Sequence, residues 1–233
     1  MKFWLLLILI TPLTRAETLK SQLFETMRSD HRVVLSYKEA RKKLFGQLHL
    51  NEDWRGHYVK DVYCRKKYRK SSGVGPGQIP NHQEINCEHT WPKSRFNKEF
   101  PYQSQLTDLH HLYPSNARAN SVRSNNYFAE VLDARAAHNS CEPSLKGPIP
   151  GEGIRGFEPP TEHKGNVARA LFYFSVRYQI SIPEHEERYL RLWHQQDPVD
   201  TAEENRNNQI AIIQGNRNAF IDNPEFVDDI DDF

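Results

Sequence analysis

The chain has 233 residues, 37% hydrophobic and 26% charged, with a formal net charge of +1. Those values suit one ordinary domain with a core and exclude a fibrous or wholly disordered protein. Overall charge does not mark a polycationic binder either, so any electrostatic function must lie in how charge is distributed.

The N-terminus reads as a signal peptide. Lys2 precedes a continuous apolar run from Phe3 to Ile10, and Thr14-Arg15-Ala16 offers small residues for cleavage after Ala16. The run is too short to span a bilayer; an uncleaved anchor is the alternative. The mature part is then 17–233, one domain with an acidic C-terminal tail. Export makes disulfides available. The three cysteines, Cys64, Cys87 and Cys141, predict one disulfide and one odd thiol, with three pairings open. No CxxC or HxxxH cluster accompanies them, which argues against a zinc site.

Ser36-Tyr37-Lys38-Glu39 has capping-box spacing and is followed by Ala40, Leu44 and Leu48 at helical intervals. Val59 to Tyr63 alternates like a strand. Between Arg55 and Arg135 there are 13 Lys/Arg against 7 Asp/Glu, whereas Asp222 to Phe233 holds six acidic residues and no basic ones. The cluster Arg65, Lys66, Lys67, Arg69, Lys70 reads equally as solvated surface or binding patch. Ser71 to Pro80 and Pro143 to Pro160 are rich in Gly and Pro and are expected to be loops. Asn166 to Ile182 predicts a largely buried helix and Glu184 to Gln196 an amphipathic one. Thr201 and Glu204 have capping-box spacing, and Gly215 is the expected C-terminal cap of the helix that follows.

The chemistry-bearing residues lie in two runs: Asn86-Cys87-Glu88-His89-Thr90-Trp91-Pro92 and Asp108-Leu109-His110-His111-Leu112-Tyr113-Pro114, the second continuing to Asn120-Ser121-Val122-Arg123-Ser124-Asn125. Glu88 can hold a hard cation through oxygen, and Asn120 offers a second, neutral oxygen. Magnesium suits so few protein ligands, with Ca2+ or Mn2+ as substitutes. His89 can deprotonate a water near neutral pH. His110 and His111 are expected to be structural. Adjacent strand residues face opposite ways, so Glu88 and His89 can share one phosphate only at an irregular strand end, a place Pro92 would favour.

These ordered motifs resemble the endonuclease I family, nucleases of low sequence specificity built on a ββα-metal (His-Me) finger. The similarity continues in Gly165-Asn166-Val167-Ala168-Arg169-Ala170 and Gln214-Gly215-Asn216-Arg217-Asn218-Ala219-Phe220. The resemblance implies an α+β fold, with the finger embedded in a mainly helical domain. It also implies a secreted or periplasmic, metal-dependent and monomeric endonuclease acting on DNA and on RNA. Glu88 and Asn120 match the metal ligands and His89 the general base. The family's base is held by a backbone carbonyl on the second strand of the finger, which aligns near Leu106. Arg95, Arg118 and Arg123 are the candidate phosphate contacts, Arg95 standing in for an arginine that some members carry on a longer loop. The rival readings are a metal-dependent phosphodiesterase of small phosphate esters and a non-catalytic nucleic-acid-binding protein.

Overall fold

The computed structural model describes residues 18–29 and 32–233. The expected signal peptide, residues 1–16, lies outside them.

In chain order the chain forms α1 (Leu19–Ser29), α2 (Tyr37–Lys43), β1 (Asn51–Asp53), β2 (Gly56–Lys60), β3 (Lys67–Tyr68), β4 (Ile85–His89), α3 (Tyr102–Leu106), β5 (Leu112–Asn116) and α4 (Ala117–Arg123). There follow β6 (Tyr127–Phe128), β7 (Arg135–Ala136), β8 (Leu145–Pro148), β9 (Arg155–Glu158), α5 (Thr161–Tyr178), α6 (Glu184–Gln196), α7 (Thr201–Gln214) and α8 (Ala219–Asp222). The architecture is mixed α+β, with three small sheets set among helices. The antiparallel β4–β5 pair followed directly by α4 makes a ββα unit.

Helix α5 is the spine. Val167, Leu171, Phe174 and Tyr178 recur at helical spacing, Phe172 and Val176 widen the stripe, and all are buried. Trp91, just past β4, stacks on Phe174 with ring centroids 5.3 Å apart. That contact fixes the end of the hairpin against the spine. The acidic tail is not loose. Phe233 is buried and stacks on Phe172 at 4.2 Å, its amide donates to Glu187, and Arg191 donates to the Val227 and Ile230 carbonyls.

Helix α2 starts as expected: the Ser36 hydroxyl accepts from the Glu39 amide, and the Glu39 carboxylate accepts from the Ser36 amide. Gly215 ends α7 in the left-handed region at φ 85°. The expected box at Thr201 is displaced by one residue, because the Asp200 carboxylate caps α7 at the Glu203 amide. A carboxylate at this place also complements the helix dipole.

Three further expectations are corrected. The strand expected over Val59–Tyr63 runs from Gly56 to Lys60 instead. It stops because the Asp61 carboxylate collects the amides of Tyr63, Cys64, Lys66 and Asn116, which folds the chain into a tight turn. The helix expected over Asn166–Ile182 begins earlier, at Thr161, and stops at Gln179, whose φ of 48° is left-handed. The loop expected over Pro143–Pro160 contains the antiparallel hairpin β8–β9, joined by a turn with Gly151 and Gly153 at positive φ. Gly147 and Gly156 serve packing there. A Cβ on Gly147 would lie 2.3 Å from the Leu132 carbonyl oxygen, and one on Gly156 would lie 2.8 Å from Ile149.

Of the basic cluster at 65–70, Arg65 pairs with Glu162, and Lys67 and Arg69 pair with Asp53. These three cations are thus engaged on the protein surface.

Cys64 and Cys141 form a disulfide, leaving Cys87 free and buried. The bridge joins the Asp61 turn to the segment before β8, spanning a sequence separation of 77. Replacing both cysteines by serine is expected to cost about 2–4 kcal/mol in urea unfolding. Thiol titration of the oxidised protein should find no reactive thiol in the native state and one after denaturation. Three reactive thiols in the denatured, unreduced protein would contradict the bridge.

Candidate active site

A cavity of about 620 Å³ opens beside the ββα unit. Glu88, His89, Asn120 and Arg123 line it together with Tyr37, Arg41 and Lys93. His89 is the last residue of β4, paired with Leu112, and the cavity wraps around that strand end. This is how neighbouring strand residues come to serve one space.

Glu88 is buried at 1% exposure, and only one of its oxygens is used by the protein. Tyr63 donates its hydroxyl to Oε1 at 2.8 Å, and the Arg123 Nη1 lies 3.0 Å from the same atom. Oε2 has no hydrogen bond within the described residues. Burial raises the Glu88 pKa, and Arg123 and Tyr63 pull it back toward the charged form. Asn120 lies on the second turn of α4, whose start is capped by the Asn116 side chain at the Arg118 and Ala119 amides. Its Nδ2 donates to Asn86 Oδ1 at 2.8 Å and leans on the Cys87 carbonyl, which turns its Oδ1 away from these partners. One carboxylate oxygen and one amide oxygen therefore remain as hard donors, a set that fits a magnesium ion keeping most of its waters. The cluster Cys64, His138, Cys141 does not compete as a metal centre, since the disulfide consumes both thiolates.

The imidazole of His89 is held from behind. Its Nε2 lies 3.2 Å from the Leu106 carbonyl oxygen. A carbonyl can only accept, so Nε2 carries the proton and Nδ1 is left as the acceptor. The carbonyl comes from the last residue of α3, not from the second strand of the hairpin as expected. Burial, then His111 and Lys93, hold the His89 pKa well below the usual imidazole value. His110 and His111 are structural as expected: both are buried, and they bond the Asn216 and Gln105 carbonyls.

The candidate phosphate contacts fare differently. Arg123 is 1% exposed. It spends its guanidinium on Glu88 and on the His89 and Thr90 carbonyls, so its place is behind the carboxylate as a brace. Arg95 pairs with Glu186, donates to the Asn125 carbonyl and lies 4.2 Å over the Tyr127 ring. Neither Arg95 nor the exposed Arg118 lines the cavity. Sequence reasoning missed Tyr63, Tyr37, Arg41 and Lys93. The i, i+4 spacing of Tyr37 and Arg41 on a capped helix was a usable signal; Tyr63 had none, since a turn far from β4 delivers it.

A strand pair and helix with a buried carboxylate, an amide oxygen and a carbonyl-anchored imidazole in one cleft form a ββα-finger arrangement, whose donor set suits phosphodiester hydrolysis. The chain belongs to the endonuclease I family, whose model matches residues 15–225. It is 33% identical to an extracellular ribonuclease of Bacillus subtilis (strain 168), over 92% of this chain and 74% of that protein. It is 36% identical to an extracellular ribonuclease of Bacillus amyloliquefaciens, over 71% of this chain and 57% of that one. An extracellular deoxyribonuclease of Aeromonas hydrophila is 25% identical, over 60% of this chain and 59% of that protein. The chain thus spans 57% to 74% of the length of these relatives.

Proposed function

We propose that the chain is an exported endonuclease that hydrolyses phosphodiester bonds of RNA and DNA with little sequence specificity and acts as a monomer. His89 is the general base and Glu88 and Asn120 are the ligands of one magnesium ion, for which calcium or manganese can substitute. The observation that carries the reading is the convergence of Glu88, His89 and Asn120 on one cavity with their free donor atoms left over after every internal bond is counted.

His89 accepts a proton from the attacking water at Nδ1, while the Leu106 carbonyl keeps Nε2 protonated and the ring fixed. Glu88 and Asn120 would hold the cation, which would supply charge neutralisation for the phosphate and leaving oxygens. Arg123 and Tyr63 hold Oε1 of the Glu88 carboxylate and counter the burial that disfavours its charged form. Contacts made to phosphate carry no base information, which accounts for weak sequence preference.

Plasmid DNA and single-stranded RNA incubated with the protein and magnesium test the reading. Both should be cleaved, and excess chelator should stop cleavage. Glu88→Gln, which keeps shape but removes charge, and Asn120→Ala should each greatly raise the magnesium needed for half-maximal rate. Undiminished cleavage in chelator, or unaltered magnesium dependence in both variants, rules the assignment out.

A further inference from the structure

Among the cations that line the cleft, two have no acidic partner within the described residues. Arg123 is bound to Glu88. Arg41 and Lys93 make no ion pair and no side-chain hydrogen bond within the described residues, and the buried Nε of Arg41 has no acceptor. Elsewhere among the described residues Arg32, Arg69, Arg95, Arg169, Arg177 and Arg191 reach a carboxylate, whereas Arg55, Arg118, Arg135, Arg155 and Arg206 reach none but do not line the cleft.

Arg41 is also fixed in place. It projects from α2, a helix closed at its start by the Ser36–Glu39 box, and its guanidinium carbon lies 4.8 Å over the Tyr37 ring. Tyr37 in turn sits 5.8 Å from the His89 ring. A half-buried guanidinium immobilised by stacking, with its donors unspent, has already lost the rotamer freedom that binding would otherwise cost. Lys93 comes from the short helical turn Lys93–Arg95 that follows β4, and is exposed. Both cations line the same cavity as Glu88, His89 and Asn120.

We infer that Arg41 and Lys93 are the substrate-strand phosphate clamp of this cleft, with Arg41 giving paired donors to non-bridging oxygens and Lys93 a mobile point charge. The inference rests on the nucleic-acid reading above and replaces Arg95 and Arg118 in this role. A rigid fork suits two oxygens of one phosphate, and the flexible ammonium tolerates variation in strand path.

Binding without cleavage separates the clamp from the chemistry. Fluorescence anisotropy of a labelled single-stranded oligonucleotide, in chelator and over a salt series, reads the number of phosphate contacts. Arg41→Gln and Lys93→Gln should each lower the salt slope by about 0.7, and the double variant by about 1.4. Arg41→Lys should keep the slope and still bind several-fold more weakly, because charge survives and the fork does not. Arg118→Gln should behave as wild type. With magnesium restored, the loss should fall on KM more than on kcat. Unaltered slopes in Arg41→Gln and Lys93→Gln variants that melt like wild type, or an equal drop in Arg118→Gln, would overturn the clamp. Wild-type protein that binds with the expected slope but cleaves neither RNA nor DNA would uphold it while removing the nuclease reading.

Discussion

Replacing His89 by Ala is expected to lower cleavage by roughly 10²–10⁴-fold, the usual worth of a positioned general base. Magnesium and oligonucleotide binding should persist, since Glu88 Oε2, Asn120 Oδ1, Arg41 and Lys93 do not depend on the imidazole. The Leu106 carbonyl loses its partner, so a modest loss of thermal stability accompanies the kinetic one. His89→Gln gives the sharper comparison: it can keep a donor toward Leu106 yet cannot take a proton near neutral pH. Single-turnover cleavage with saturating enzyme isolates the chemical step. A variant that cleaves within tenfold of wild type under those conditions would show that another group is the base.

The second large effect is on stability in acid. Burial pushes the imidazoles of His110, His111 and His163 down to about 3. His49 is likewise held well below its ordinary value, by burial and by Arg206 and His163. Each depressed histidine is neutral in the folded chain and takes a proton in the unfolded one. Its contribution is therefore complete above about pH 6.5 and is lost as pH falls from there toward its folded value. His110, His111 and His163 alone remove on the order of 4 kcal/mol per pH unit below that point, and His49 adds in the same direction. On that slope a domain stable by about 5–10 kcal/mol should unfold between about pH 5 and pH 4, above the folded pKa values themselves. Asp108 adds in the same direction at still lower pH. Arg32 and Arg177 overcome its burial and hold its carboxyl far below the usual range, so its contribution fades only below about pH 4. Urea unfolding at pH 7, 6 and 5 reads the slope directly. His163→Phe should flatten that slope by about 1.4 kcal/mol per pH unit, one histidine's share. Stability that is level from pH 7 to pH 4 would refute the account.

The local devices were legible because they depend on neighbours in sequence. Ser36 and Glu39 box the start of α2, Gly215 closes α7, and the apolar stripe from Val167 to Tyr178 marks the spine. Glu88, His89 and Asn120 could be named because their order and spacing carry the family pattern. The β8–β9 hairpin was not legible. Its glycines read as loop signals, while their purpose is to let Leu132 and Ile149 approach the backbone. The pairing of Cys64 with Cys141 was open among three choices and is settled by the turn that Asp61 folds.

Sequence alone determined which residues could do chemistry here, since donor type, basicity and spacing are properties of the chain itself. The tertiary structure decided which atoms remain available. Arg123 and Arg95 look alike as charges in the sequence, yet each is neutralised by a carboxylate from another element, Glu88 on β4 and Glu186 on α6. Arg41 was overlooked, and among the described residues it has no ion-pair partner and stacks on Tyr37 at the cleft. Tyr63 reaches Glu88 across 25 residues of chain. Charge pairing and burial are set by distances through space, and no periodicity along the chain encodes them.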